Sequence, residues 1–232
     1  VQPTASVLYM IRSHLVAEAV ELQARVDRIA EGAALMTDTT VERKFIDGLA
    51  DTVSNHSLES VLYRNFKEIG VPEHTPEELD FADKLAQTYN GNDHVPGFGA
   101  ENDADLREEV IRLQKEAGHA MNDFLCPLYK GQAFTAGSTD VGDVSCLTPT
   151  AQIHVAAWPN GCPGHSWQNV SCDGTSIGKK AAVCAAKVLA ASAVDLFEDP
   201  GLLAQARAEF EKNTRSGYVC PIPADAVPTI PD

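Results

Sequence analysis

Two short segments gather the residue types best suited to chemistry. Gly161-Cys162-Pro163-Gly164-His165-Ser166-Trp167 sets an imidazole directly after a glycine, and Gly137-Ser138-Thr139-Asp140-Val141-Gly142-Asp143 groups glycines, hydroxyls and carboxylates. In the first, Gly164 would free the backbone beside His165, whose imidazole can ligate a metal, while Ser166 and Trp167 line a cleft. In the second, the small residues let a ligand approach the backbone, Ser138 and Thr139 can donate to a carboxylate, and Asp140 can orient a neighbour. Each segment also has a plainer reading: His165 as a hydrogen-bonded structural histidine, and 137–143 as a polar turn of ordinary chemistry.

Other constellations are weaker. Cys162-x-x-His165 with Cys172 imitates part of a zinc site, but a closed structural site needs four ligands at regular spacing. Gly164-His165-Ser166-Trp167-Gln168 matches four of five positions of a nucleophile elbow, yet Gln168 replaces the last glycine and no histidine follows residue 165 to complete a triad. His14, His56, His74, His94 and His119 form no HExxH pair and are expected at the surface.

The elements that would carry these residues follow from periodicity. Residues 6–12 are rich in strand formers. Leu15, Ala19, Leu22, Val26, Ile29 and Ala33 then recur at helical steps, and 39–47 alternate in part, so residues 1–53 spell β-α-β. Two strands are marginal alone, so the remaining strands of such a sheet are expected from preceding sequence or a partner chain. From Ser54 the texture is helical: Leu58, Val61, Leu62, Phe66 and Ile69 mark one helix, and Thr75-Pro76-Glu77-Glu78 opens another with an N-cap, a first-turn proline and a capping-box Glu. A Gly/Pro-rich loop at 91–102 precedes a helix from Asp103 or Asp105 to Ala117. Residues 118–175 are rich in Gly, Pro, Ser and Thr and hold one expected strand, 151–158. An Ala-rich helix over 176–198 and a last helix over 200–213 lead into a proline-punctuated tail, with no internal repeat.

Composition bounds the function. With 18 Lys and Arg against 33 Asp and Glu in 232 residues the formal charge is −15, which repels phosphate backbones and anionic lipid; nucleic-acid and membrane partners are disfavoured. The most apolar run, 177–197, is broken by Lys179, Lys180, Lys187 and Asp195 and reads as a packed helix. Six dispersed cysteines without a CxxC pair suit a reducing cytoplasm, and the sequons at Asn55 and Asn169 read as chance. Val1-Gln2-Pro3 has neither an initiator Met nor a leader pattern, the mark of a fragment or a processed chain.

GSTDVGDVS (137–145), PT (149–150), PGHSWQ (163–168), AAKVLAASAVDLF (185–197) and YVCPIP (218–223), in this order and spacing, resemble the C-terminal half of p-aminobenzoyl-glutamate-utilising members of the carboxypeptidase-G/aminoacylase family of binuclear metallopeptidases and amidohydrolases. LYMIR (8–12) and IAEGAALMTDTTVE (29–42) resemble the later part of that family's inserted lid or dimerisation domain. The resemblance implies an α/β fold, with 1–53 as a partial α+β, ferredoxin-like lid and 54–232 as the C-terminal part of the catalytic domain. It implies hydrolysis of an aryl- or acyl-amino-acid amide such as p-aminobenzoyl-glutamate, using two divalent metals, zinc or manganese.

His165 matches the family's last metal ligand; Gly137, Ser138, Thr139 and Asp140 match the loop on the substrate-carboxylate side. Arg12 stands where members often carry Asp-x-Arg, with Met10 in the Asp position. The family's His-x-Asp motif, bridging Asp and Glu-Glu pair have no match, so no catalytic base lies in this chain and it is expected to be inactive alone. The expected partners are an N-terminal half of the same enzyme and a second copy or related subunit. The alternative is a non-catalytic dimerisation or scaffold module that pairs through its β-α-β edge.

Overall fold

A computed structural model describes residues 2–226 except 92, 98 and 132. Eight helices are found among them: α1 (Val16–Thr37), α2 (His56–Ile69), α3 (Pro76–Ala86), α4 (Ala104–Ala117), α5 (Val141–Leu147), α6 (Trp167–Asp173), α7 (Ser176–Glu198) and α8 (Pro200–Asn213). None is long and apolar enough to cross a membrane. The described residues contain no β-strand, which overturns the α/β class and the ferredoxin-like lid expected for 1–53. The segments 6–12, 39–47 and 151–157 are non-helical, as their β-branched and aromatic content dictates, but they form no ladder. A strand is completed only by hydrogen bonds to another strand, whereas a helix closes its bonds within one segment.

The chain divides into two compact units. The first gathers residues up to 54, 134–148 and those from 211 onward. Its longest element, α1, ends where Asp38 turns left-handed (φ 52°) and donates its N–H to the Ala34 carbonyl. The apolar stripe predicted for α1 is present but uncovered. Ala19, Leu22 and Val26 are only half-buried, Ile29 is 70% exposed, and no residue of the helix is buried.

The second unit, 55–133 and 149–210, holds the core. Helix α2 packs on α7 through Leu62, Phe66, Cys184 and Val188, with Ala151, Ile153 and Val155 against them. Residues 151, 153 and 155 thus pack one side of an extended segment on a helix pair, although the strand expected at 151–158 does not form. Ala82, Leu85, Met121, Cys172 and Ile177 form the other cluster, joining α3, α6 and α7.

Caps fix where the helices begin. Thr75 and Glu78 make the full capping box predicted for α3, and Asp103 Oδ1 accepts the Leu106 N–H at 3.0 Å to start α4. Asn55 is 1% exposed: its Oδ1 accepts from Leu58 N at 3.1 Å and its Nδ2 donates to the Ala206 carbonyl at 2.8 Å. Glu209 supplies the next acceptors, taking the N–H groups of His56 and Ser57 (2.8 Å each) and the Ser57 hydroxyl (2.6 Å) at the positive end of α2.

Candidate functional site

The loop 137–140 belongs to the first unit, and so does Arg12. Arg12 Nη2 donates to Ser138 Oγ at 2.7 Å, joining two sequence-predicted residues 126 positions apart. The residues around Arg12 hold it there. Ser13 Oγ donates to Glu18 Oε2 at 2.5 Å, and Val16 N donates to Asp51 Oδ1 at 2.9 Å. The His14 ring stacks on Phe134 with centroids 4.5 Å apart and planes 16° from parallel. This stack ties the backbone just after Arg12 to the residues just before Gly137.

The other side of the loop is anchored by α5. The predicted polar turn is in fact a turn entering a helix, with Asp140 at the N-cap position and Val141 N donating to Thr139 Oγ1 at 3.3 Å. Gly142 is required by proximity: a Cβ there would lie 2.0 Å from the Ala50 carbonyl oxygen. Asp143 Oδ2 accepts from Ala50 N (3.1 Å), Ser145 Oγ accepts from Val53 N (2.8 Å), and Tyr218 donates its phenol hydrogen to Asp143 Oδ1. That last bond raises the Tyr218 phenol far above its ordinary value. Residues 137–140 are all exposed, and nothing stands within 4 Å of a Cβ placed on Gly137. The result is an exposed guanidinium beside two hydroxyls, a suitable donor set for a carboxylate.

His165 lies in the second unit, on a braced loop. Asn160 is 7% exposed and its carbonyl accepts from Tyr89 OH (2.8 Å). Its Nδ2 donates to the His94 carbonyl (2.7 Å), its Oδ1 accepts from Asn122 (3.0 Å), and its N–H donates to the Ala120 carbonyl (2.7 Å). Gly161 packs backbone to backbone on Gly91, where a Cβ at 161 would approach the Gly91 oxygen to 1.9 Å. Ser166 closes the loop by donating to the Pro163 carbonyl (2.6 Å) and capping α6 through Asn169 N (3.2 Å).

The expectation that Gly164 frees this backbone is displaced by one residue: Gly164 faces open space, and His165 itself is left-handed at φ 56°. A non-glycine residue in that region is strained by about 1–2 kcal/mol. His165 is exposed, on a backbone braced at Asn160, Gly161 and Ser166.

The described residues contain no group of three or more His, Cys, Asp or Glu able to hold a metal. Burial pushes the Cys162 thiol upward and those of Cys172 and Cys126 to about 11. The incomplete Cys-x-x-His zinc pattern stays incomplete. Two histidines expected at the surface are covered: the His74 side chain is buried at 1% exposed, and that of His119 is half-buried at 15%. His119 Nε2 meets Asp123 Oδ2 at 3.0 Å, and His74 Nδ1 lies 3.6 Å from Glu78 Oε2, itself bound by Lys180 at 2.7 Å. Sequence reasoning missed the braces His14, Phe134, Asp51 and Asp143, because a stack or a side-chain bond across 90 residues leaves no local periodicity.

No known family model matches the chain, and no solved structure matches it. Over an alignment of 239 residues it is 38% identical to a p-aminobenzoyl-glutamate hydrolase subunit of Escherichia coli (strain K12), and the match covers 99% of this chain and 48% of that protein. The chain thus spans about half the length of that relative. The kinship inferred from the residues at 137–145 and 163–168 holds along nearly the whole chain, which is a relative of this p-aminobenzoyl-glutamate hydrolase subunit.

Proposed function

We propose that this chain forms part of a metal-dependent amidohydrolase that cleaves p-aminobenzoyl-glutamate or a similar aryl- or acyl-amino-acid amide. The observation that carries this reading is the Arg12–Ser138 contact beside Thr139 and Asp140, an exposed cationic donor cluster fitted to a substrate carboxylate, in a relative of a hydrolase subunit. Arg12 holds the carboxylate by charge-assisted hydrogen bonds, Ser138 and Thr139 add hydroxyl donors, and Asp140 orients them. His165 supplies one ligand to the metal centre. In this reading the remaining ligands and the general base come from the rest of the enzyme, and the chain is inactive alone. Two ions, zinc or manganese, would polarise the amide and activate water when a complete centre binds them. A cytoplasmic setting, a second copy or related subunit as partner, and the N-terminal half of the enzyme belong to the same reading; the word "subunit" in the relative's name supports the partner.

The test is release of p-aminobenzoate by the complete natural protein with manganese or zinc, for wild type, Arg12→Ala and His165→Ala. Arg12→Ala should raise KM roughly tenfold, the share left to one exposed charge-assisted pair, and His165→Ala should abolish turnover. An unchanged KM in Arg12→Ala would remove the carboxylate role.

The scaffold reading also has a specific observation behind it: Val7, Leu8, Tyr9 and Met10 are 70–78% exposed, and α1 buries no residue. A surface of this kind points to association. Sedimentation of the chain from about 1 to 100 μM tests this association, and p-aminobenzoate release by the complete natural protein separates the readings, since a scaffold would associate and show no turnover for His165→Ala to abolish.

A further inference from the structure

The chain has two tryptophans, and both stand on the segment that carries His165. Trp167 is 61% exposed and Trp158 39%, whereas tryptophan is highly buried on average. Trp167 opens α6 two residues after His165, so the two Cα atoms are within about 7.6 Å along the chain. The inner face of α6 is committed to the core through Gln168 and Cys172, and its outer face shows Trp167 with Val170, which is 70% exposed. The hydrogen bonds of Asn160, the Gly91–Gly161 approach and the Ser166 cap fix the loop between the two indoles.

We infer that Trp167 forms the wall that receives the aryl group of the amide substrate beside His165. This rests on the reading above, since the occupant is chosen by the aminobenzoyl group in the relative's name. An indole presents a broad, rigid face with few rotatable bonds, and a flat electron-rich ring gains both apolar burial and offset stacking on it. Selectivity for aryl over alkyl amides then resides in the indole, because both substrate classes share the amino-acid carboxylate.

The experiment compares p-aminobenzoyl-glutamate with N-acetyl-glutamate in the complete natural protein, for wild type, Trp167→Ala, Trp167→Phe and Trp158→Phe. The expected result is a roughly tenfold fall in the kcat/KM ratio of aryl over acetyl substrate in Trp167→Ala, with most of the ratio restored in Trp167→Phe. A purely structural role would lower both substrates alike and leave the ratio unchanged, which would overturn the inference while leaving the hydrolase reading intact. Absence of p-aminobenzoyl-glutamate hydrolysis in the wild-type protein would overturn both. Tryptophan emission gives a second readout: p-aminobenzoate should quench it saturably and acetate should not, whereas equal or absent quenching counts against the indole wall.

Discussion

Asn55 offers the sharpest test of the fold. The side chain does two jobs at a fully buried position: Oδ1 caps α2 through Leu58 N, and Nδ2 satisfies the carbonyl of Ala206, a residue 1% exposed. In Asn55→Ala the lost cap costs about 1 kcal/mol, and an unsatisfied buried carbonyl costs about 1–3 kcal/mol more. The expected loss is therefore about 2–4 kcal/mol. With a urea slope of about 2 kcal/mol/M, the middle of the usual range, the unfolding midpoint should fall by about 1–2 M. Tryptophan emission is the right probe, because Trp158 and Trp167 both lie in the same unit as Asn55. Asn55→Asp keeps the cap acceptor and loses the donor, so it should be destabilised chiefly by the unsatisfied Ala206 carbonyl and by its charge near Glu209. A midpoint for Asn55→Ala within about 0.2 M of wild type at unchanged slope would refute the two-job account.

Three further outcomes follow from the same structure. Gly142→Ala forces a methyl to within 2.0 Å of the Ala50 oxygen, and overpacking against backbone should lower the stability of the first unit by about 1–3 kcal/mol; hydrogen exchange at Ala50 and Val53 should quicken, and unaltered exchange would contradict the close approach. Burial holds the His74 imidazole below its ordinary 6.5, so the unfolded chain binds the proton first. The associated stability is whole above about pH 6.5 and fades as pH falls toward the folded value. Glu78, held at about 2 by its bonds to Lys180 and Ser176, adds a second loss below pH 4.5. Urea midpoints from about pH 7 to 3 should show both losses, and His74→Leu should flatten the upper one; an identical slope in that variant would dismiss the imidazole as its source. Finally, the chain alone, equilibrated with manganese or zinc and gel-filtered, should retain no stoichiometric metal, and two ions per chain would contradict the single-ligand reading.

Much of the second unit was legible because its signals are local. The Thr75 capping box, the Asp103 cap and the helices at 56–69 and 176–198 lie where spacing put them. The site was legible only as types of residue: Ser138 and Arg12 were singled out one by one, while their 2.7 Å contact depends on the His14–Phe134 stack and on Gly142 seated against Ala50. Asn55 shows the opposite case. Its sequon was set aside as chance, and tertiary packing gives the asparagine a different task by burying it between two helices.

The strands mark the boundary between the two kinds of information. Residues 151–158 were expected as a strand, and Ile153 and Val155 do pack inward, but no strand forms there or at 6–12 and 39–47. Helix bonds run four residues along the chain, so sequence by itself determined where most helices lie and how they start. Strand bonds, ring stacks and buried caps require a partner far away in sequence, so only the tertiary structure decided that the extended segments form no ladder, that the His74 side chain is buried, and that Arg12 meets Ser138.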